Sequence, residues 1–257
     1  MIRVKRYLLF SMLAVILLVA AGCSGGPTSM PTASPTSIPT PSPTSTIVIP
    51  TEHGTVTFND ENLEAVIRES AIYGSISEQI MREELASLTG LVASERGIVD
   101  LTGIEYCVNL THLLLFENEI SDISPLSSLT KLESLALLRN QISDITPLSS
   151  LDNLIMLHLA ENQISDISPL ANLDKLVALF LHKNQINDLS PLASLTNITE
   201  LVLAENQISD ISPLVNNIGL GEGDVVNLKN NNLDLLEGSD DLENIRLLEE
   251  RGVVVHY

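Results

Sequence analysis

Leucine and other apolar residues return at fixed intervals through the middle of the chain, in a frame of 22 residues. Written from its first leucine, the frame reads LxxLxLxxNxIxDIxPLxxLxx, and it continues without insertion as far as Gly219. Its five regular copies begin at Leu110, Leu132, Leu154, Leu176 and Ile198. A fixed period of roughly 20 to 50 residues is typical of a solenoid, in which each repeat forms one coil.

The spacing inside the frame predicts a short β-strand at the start of each coil. Positions 4 and 6 are leucine in every regular copy, and such alternation places one set of side chains in the core and the next set on the opposite face. We therefore predict that positions 3, 5 and 7 point away from the core, with position 8 at the edge of the sheet. The predicted fold is an α/β solenoid with a parallel sheet on one side and short helical turns on the other.

Position 9 is asparagine in every regular copy. A buried turn requires a short side chain that both donates and accepts hydrogen bonds, and asparagine does both. Stacked copies are expected to form an asparagine ladder that satisfies backbone groups of neighbouring coils. The ladder consists of Asn118, Asn140, Asn162, Asn184 and Asn206.

A Ser-Pro or Thr-Pro pair follows at positions 15 and 16 of each copy. We predict that the Ser or Thr is the N-cap of a single helical turn and that the proline is its first residue. The aspartate at position 13 lies beside this turn. Capping of backbone amides explains the aspartate more simply than a column of calcium sites.

This pattern closely resembles the bacterial leucine-rich repeats of the internalin type. Five in-phase copies match in the leucines, the asparagine and the Pro-Leu pair, and four of the five have the Asp-Ile pair, which is Asp188-Leu189 in the other. The resemblance implies a curved solenoid with its parallel sheet on the concave side, and binding of a protein partner there. It does not extend to host-cell invasion.

The first residues of the chain have the features of an export signal. Residues 1–22 hold three basic residues and then an apolar stretch that is short for a membrane span. The segment resembles a bacterial lipoprotein signal peptide and implies lipid attachment at Cys23, although Ala20 occupies the position where leucine is usual. An ordinary secretory signal is the alternative. Residues 23–54, the lipidated cysteine and a Pro/Thr/Ser linker, lack the apolar content that a packed core needs.

Both ends of the repeat array are predicted to be capped. Residues 55–87 are expected to form a helical N-terminal cap, with one helix over residues 60–70 and a second from Ser77 to about Ser87. Residues 88–219 then comprise six repeats. The first of these is degenerate, because Arg96 replaces the ladder asparagine.

Residues 220–257 are predicted to form a degenerate repeat and a C-terminal cap. The repeat fits the frame only if three residues are inserted. A helix over residues 240–251 follows, with Asp240 and Glu243 as a possible capping box and Gly252 at its end. Residues 253–255 are expected to be the closing edge strand.

Composition and charge limit the functions available. A net charge of −20 disfavours nucleic acid as a partner, because phosphates would be repelled. Cys107 occupies a position that is leucine in later repeats, so we predict a small buried hydrophobic residue and not a nucleophile. We find no nucleophile–base pair, phosphate loop or zinc-protease motif. No enzyme activity, cofactor or small-molecule substrate is therefore expected.

The outward positions of the predicted strands form an apolar surface. Because exposed apolar clusters edged by charge usually mark interaction sites, we predict partner binding here; the alternative is that small apolar residues merely suit a parallel sheet. The pair His158 and His182 lacks a third metal ligand, so partner contact is the preferred interpretation. The predicted partner-binding residues are His112, Leu114, Phe116, Leu138, Arg139, Met156, His158, Phe180, His182, Lys183 and Val202.

These features predict a bacterial lipoprotein that faces outward from the cell membrane or outer membrane and binds a protein partner through its concave face. The alternative is a structural or adhesive envelope protein that binds glycans or neighbouring copies of itself. Aromatic residues stacked on sugars would favour that alternative, and the predicted face contains only two.

Overall fold

The computed structural model describes residues 54–70 and 79–257. Within them, eight short strands form one parallel sheet in which each strand pairs with the next along the chain. This is the open sheet of a leucine-rich-repeat solenoid, as the repeat predicts. The strands are β1 (Gly90–Val92), β2 (His112–Leu114), β3 (Ser134–Ala136), β4 (Met156–His158), β5 (Ala178–Phe180), β6 (Glu200–Val202), β7 (Val225–Asn227) and β8 (Val254–His256).

Register between strands follows the 22-residue frame. Equivalent positions lie side by side, as in Leu113 beside Leu135 and Leu135 beside Leu157. The leucines of positions 4 and 6 are fully buried in every regular coil, which confirms the predicted inward face. Because each coil covers the leucines of the next, the core is one continuous column.

Position 8 of each coil adopts a left-handed backbone conformation. Its φ lies between 54° and 58° at Glu95, Glu117, Arg139, Glu161, Lys183, Glu205 and Asn230. Left-handed backbone is unfavourable for residues with a Cβ atom and persists only where the surroundings enforce it. Here the amide of position 8 donates to the carbonyl of position 7 in the next coil, for example Glu117 to Leu138 at 2.9 Å. The turn that follows directs the next side chain, the asparagine, into the core.

The asparagine side chains connect successive coils. Asn140 Nδ2 donates to the carbonyl of Leu137 in its own coil and to that of Leu115 in the coil before, and its Oδ1 accepts from the amide of Ile120. The same three kinds of bond occur at Asn118, Asn162, Asn184, Asn206 and, in the last coil, Asn231. Each asparagine thus bonds to buried backbone groups, and a carbonyl such as that of Leu115 accepts from two successive asparagines, Asn118 and Asn140.

A short helical turn lies on the opposite side of most coils. The turns are 3₁₀ helices over Ile104–Tyr106, Ser124–Ser128, Thr146–Ser150, Ser168–Leu170 and Ser190–Leu192, followed by the short helix α3 (Ser212–Asn216). The predicted Ser or Thr N-cap is wrong by one residue, because the Ser or Thr is itself the first helical residue. The preceding aspartate does the capping: Asp122 Oδ1 accepts from the Ser124 amide at 2.8 Å, as do its equivalents in later coils.

Helix α1 (Glu61–Ser70) precedes the first coil and buries Leu63, Val66 and Ile67. Asp60 fixes it, since Oδ1 accepts from two amides of the first helical turn and Oδ2 accepts from the amides of Val99 and Asp100 in the first coil. Burial alone would raise the pKa of the Asp60 carboxyl, but these four backbone donors together lower it.

The second predicted helix is shorter than the sequence indicated. Helix α2 covers only Arg82–Leu85, and Met81 forms an isolated antiparallel bridge with Thr55. The amide of Val56 donates to the Ile80 carbonyl at 2.8 Å, so this segment is extended where a helix was predicted. Its predicted start at Ser77 lies outside the described residues.

The final coil contains three extra residues. Glu200 pairs with Val225, 25 positions later, whereas the regular spacing is 22. Asn217, inside the insertion, donates to the carbonyls of Leu192 and Leu195 and accepts from the amide of Gly219. The longer coil is thereby held against the coil before it.

Helix α4 (Asp240–Glu250) and strand β8 close the C-terminal end of the described sheet. The proposed capping box of Asp240 and Glu243 is wrong, because the N-cap is Ser239, whose Oγ accepts from the Leu242 amide. Gly252 ends the helix with φ at 87°. Strand β8 pairs only with β7 and begins at Val254, one residue later than predicted.

Cys107 is fully buried in the core, at the position that later coils fill with leucine. Burial, with a smaller contribution from Glu105, raises the pKa of the Cys107 thiol to about 12. The thiol is therefore neutral and unreactive at physiological pH. The signal peptide, Cys23 and the linker as far as residue 53 lie outside the described residues.

Candidate binding surface on the concave face

Three rows of side chains cross the face of the sheet that is opposite the leucine core. Row 3 runs through His112, Ser134, Met156, Ala178 and Glu200; row 5 runs through Leu114, Ala136, His158, Phe180 and Val202; row 7 runs through Phe116, Leu138, Ala160, His182 and Ala204. Residues of rows 3 and 5 pair directly between neighbouring strands. Because such strands lie about 4.8 Å apart, successive side chains of rows 3 and 5 are close neighbours.

The rows are less exposed than the alternation predicted. Leu114 is only 4% exposed and Met156 only 8%, so both mainly support their neighbours instead of offering contact area, and their expected exposure is wrong. Neighbouring side chains 4.8 Å apart cover them, an effect that alternation alone does not include. The half-buried residues that remain accessible are His112, Phe116, Ser134, Leu138, His158, Phe180, His182, Glu200 and Val202.

Two histidines and a phenylalanine meet near the centre of the face. The ring of His158 lies 4.8 Å from that of Phe180 and 5.9 Å from that of His182, measured between centroids. Both ring nitrogens of His158 and Nδ1 of His182 are buried without a hydrogen-bond partner. Burial, and secondarily the neighbouring His182, lowers the pKa of His158 to about 4. Burial also lowers the pKa of His182. Both rings are therefore neutral at pH 7.

The edge of the sheet next to row 7, which we call the rim, carries alternating positive and negative side chains. Its members are the position-8 residues Glu117, Arg139, Glu161, Lys183 and Glu205. Arg139 forms ion pairs with Glu117 at 2.6 Å and with Glu161 at 3.1 Å, and Lys183 pairs with Glu161 at 3.3 Å. Hydrogen bonds from Arg139, despite opposing burial, lower the pKa of Glu161. The rim holds its charges largely in mutual pairs.

At the other edge of the sheet, basic residues also alternate from coil to coil with a second residue type, which here is uncharged. At position 22, lysines alternate with asparagines, and Lys131 and Lys175 donate to Asn109 and Asn153 of the coil before. Each lysine therefore has a fixed polar contact one coil away.

Glu200 is a member of the face that sequence reasoning did not select. It is half-buried in row 3 between Ala178 and Val225. Burial raises the pKa of its carboxyl. The signal was present in the sequence, since Glu200 is the only acidic residue at position 3 among the regular copies.

The described residues contain no group of three or more His, Cys, Asp or Glu side chains arranged to hold a metal ion. A depression of about 740 Å³ lies away from the face and is lined mainly by acidic residues and serines. Two of its carboxylates, Asp210 and Asp241, accept from backbone amides. Within residues 54–70 and 79–257, no helix is both long and apolar enough to cross a membrane.

Comparison with known proteins agrees with this geometry. A family model described as leucine-rich repeats (2 copies) matches residues 108–150, 152–194 and 175–216. No curated protein sequence matches significantly. An LRR protein of Leptospira interrogans, 23% identical, shows the same fold with a TM-score of 0.58 over 68% of this chain and 45% of that one. The molecule is thus a leucine-rich-repeat solenoid.

Two solved structures from Listeria monocytogenes identify the family. Internalin C2 is 34% identical, with a TM-score of 0.57 over 77% of this chain and 94% of that chain. An internalin (inlF) is 37% identical, with a TM-score of 0.69 over 77% of this chain but only 56% of that one. The chain belongs to the internalin family of leucine-rich-repeat proteins. It spans little more than half of the inlF structure.

Proposed function

We propose that this protein is an exported lipoprotein, attached to the outer face of a bacterial membrane through Cys23, that binds a protein partner through its concave face. The residues 1–22 supply the signal features, and Cys23 follows them directly. In this proposal residues 23–54 are a linker that holds the solenoid away from the membrane. Membership of the internalin family supports the binding role.

The observation that supports partner binding most is one apolar patch of three neighbouring residues on a buried support. His158, Phe180 and Val202 lie side by side in row 5, and the buried Met156 lies two residues before His158 on the same strand. Phe180 is its aromatic centre, and aromatic side chains in the middle of a surface are the most frequent binding hot spots. The neutral imidazole of His158, next to Phe180 on the adjacent strand, keeps the patch uncharged.

A partner that covers this patch would desolvate few unpaired charges at the rim. The rim's Arg and Lys side chains already pair with glutamates, so a partner need not separate isolated charges from water. Paired charges at an edge favour selection between partners over raw affinity. We assign partner contact to His112, Phe116, Leu138, Arg139, His158, Phe180, His182, Lys183 and Val202, with Leu114 and Met156 as their support.

Photo-crosslinking from the face tests this proposal. The full chain, produced in a bacterium that carries the gene, receives a photoreactive amino acid at position 202 or, as a control, at the exposed position 187 outside the three rows. Crosslinking to one discrete protein is expected from position 202 and not from position 187. Adding Phe180→Ala should weaken capture roughly 30-fold, since a hot-spot aromatic contributes about 2 kcal/mol. Equal products from both positions, unaffected by Phe180→Ala, would refute binding through this face.

A further inference from the structure

Glu200 is an isolated acidic group on an otherwise uncharged or basic part of the face. Among the described residues of rows 3, 5 and 7, including their continuation through Val225, Asn227 and Lys229, it is the only carboxylate. Its row neighbours are Ala178 and Val225, neither of which is a hydrogen-bond donor through its side chain. No hydrogen bond or ion pair joins the Glu200 side chain to any residue in the described part of the chain.

The two basic residues nearest to Glu200 along the chain bond to other residues. Lys183 pairs with Glu161 of the rim, and Lys175 donates to Asn153 on the opposite edge. The half-buried carboxylate of Glu200 is therefore free to accept a positively charged group of a ligand in place of water. The raised pKa of Glu200, caused by burial, agrees with its partial removal from water.

The distance between Glu200 and the apolar patch determines how far apart a charged and an apolar side chain of a ligand must be. Val202 lies two residues along the same strand, which is roughly 6.6 Å, and Phe180 is the neighbour of Val202 on β5. A single segment therefore reaches both features if it presents a charged and an apolar side chain about that far apart. Residues i and i+2 of an extended segment, or i and i+4 of a helix, satisfy this spacing.

We propose that the concave face recognises a cationic and apolar protein segment, in which a lysine or arginine forms an ion pair with Glu200 while a neighbouring apolar side chain packs on Phe180 and Val202. This rests on the proposed function and specifies the partner's chemistry. The net charge of −20 favours approach of such a basic segment. A positive group is the complement that Glu200 lacks within its own chain.

Selection from a displayed library of random 16-residue peptides tests the inference with the full chain as the target. Peptides retained by the wild type should contain Lys or Arg two to four residues from an aromatic or aliphatic side chain. Glu200→Gln should weaken binding of a selected peptide about 10-fold, and high salt should weaken binding more on the wild type than on Glu200→Gln. Glu119→Gln, which removes an exposed carboxylate outside the three rows, is the matched control and should change affinity less than about two-fold.

The outcomes separate the inference from the proposed function. Selected peptides without basic residues, peptides indifferent to Glu200→Gln, or no selected peptide at all would overturn the cationic partner. If such peptides are lost with Phe180→Ala but not with Glu200→Gln, the concave face still binds proteins and only the charge assignment fails. Peptides indifferent to both substitutions bind elsewhere and contradict both proposals.

Discussion

The ring of His158 lies against the ring of Phe180 on the next strand, with centroids 4.8 Å apart and planes tilted by 43°. The two residues are direct neighbours in the sheet register. Contact with a phenyl ring and with the adjacent His182 leaves both nitrogens of His158 buried and unpaired. The fold therefore favours the neutral imidazole, because a charged ring would lose its hydration without gaining a partner.

Acid is expected to destabilise the protein through His158. Its pKa is about 4 in the fold, against 6.5 for a free side chain, so the folded state resists a proton that the unfolded state accepts. The contribution of neutral His158 to the free energy of unfolding is fully present above pH 6.5 and is lost as pH falls toward 4. We predict that the free energy of unfolding, measured with urea, decreases by about 2–3 kcal/mol between pH 7.5 and 4.5.

His158→Phe is the control for this pH effect, since it preserves an aromatic ring without a titrating group. The variant should lose most of the pH dependence in that interval, and the remainder should come from His182, whose pKa is also lowered. Asp60 and Asp100 have lowered pKa values, so their contribution is lost only as pH falls below about 3.8. Glu200 acts in the opposite direction, because its pKa is raised. An unchanged slope in His158→Phe would show that other groups control the acid response.

Phe180→Ala should have a modest effect on stability and a measurable effect on His158. The substitution removes one aromatic pair, which contributes about 1 kcal/mol, and leaves the buried leucines of the core in place. Uncovering His158 should move its pKa upward from about 4 toward 6.5 in an NMR titration. Asn187→Ala, at an exposed position outside the rows, should change neither quantity. A loss of several kcal/mol would place Phe180 in the core instead of on the binding face.

The repeat made most of this fold predictable, because its positions have fixed physical roles. Leucine at positions 4 and 6, asparagine at position 9 and aspartate at position 13 each recur in phase, so one coil describes the next. The extra three residues of the last coil were also recognisable, because Asn231 returns in frame after them. Register followed from the repeat without any knowledge of tertiary contacts.

The candidate site was less predictable, because it depends on how neighbouring coils cover one another. Alternation identified the outward rows but not the 4% exposure of Leu114, which results from lateral packing between strands. The left-handed backbone of Glu117 and its equivalents was also unforeseen, since glutamate has no local preference for that conformation. Glu200 was overlooked because the sequence does not show that this single carboxylate has no ion-pair partner in the fold.

Lipid attachment is tested by Cys23→Ser. The wild type should partition with membranes and into detergent, and intact-mass analysis should show a mature chain that begins at Cys23 with added acyl mass. The variant, which lacks the acceptor thiol, should remain unprocessed or become soluble. A Ser24→Ala control preserves the cysteine and should behave like the wild type. A mature wild-type chain that begins elsewhere, without acyl mass, would contradict the proposed anchor.

The asparagine ladder is tested at its centre by Asn162→Ala. The substitution removes the acceptor for the Ile142 amide and the donors to the carbonyls of Leu137 and Leu159. The Ile142 amide is then left without an acceptor, whereas the two carbonyls still accept from Asn140 and Asn184. The free energy of unfolding should fall by about 1–3 kcal/mol. Because neighbouring coils are coupled, one cooperative transition should shift as a whole. A melting midpoint equal to that of the wild type would refute the structural role of the ladder.

The insertion in the last coil is tested by Gly219→Ala. A Cβ atom at this residue would lie 1.9 Å from the backbone oxygen of Thr196 and 2.5 Å from its carbonyl carbon, so the coil must move away from its neighbour. That movement would strain the bonds by which Asn217 holds the insertion to Leu192 and Leu195. We expect a loss of roughly 3 kcal/mol in urea unfolding. Gly90→Ala is the matched control, because a Cβ atom there meets nothing within 4 Å, and it should be neutral or slightly stabilising. Equal stability of the two variants would mean that the last coil is not packed as closely as the 1.9 Å approach requires.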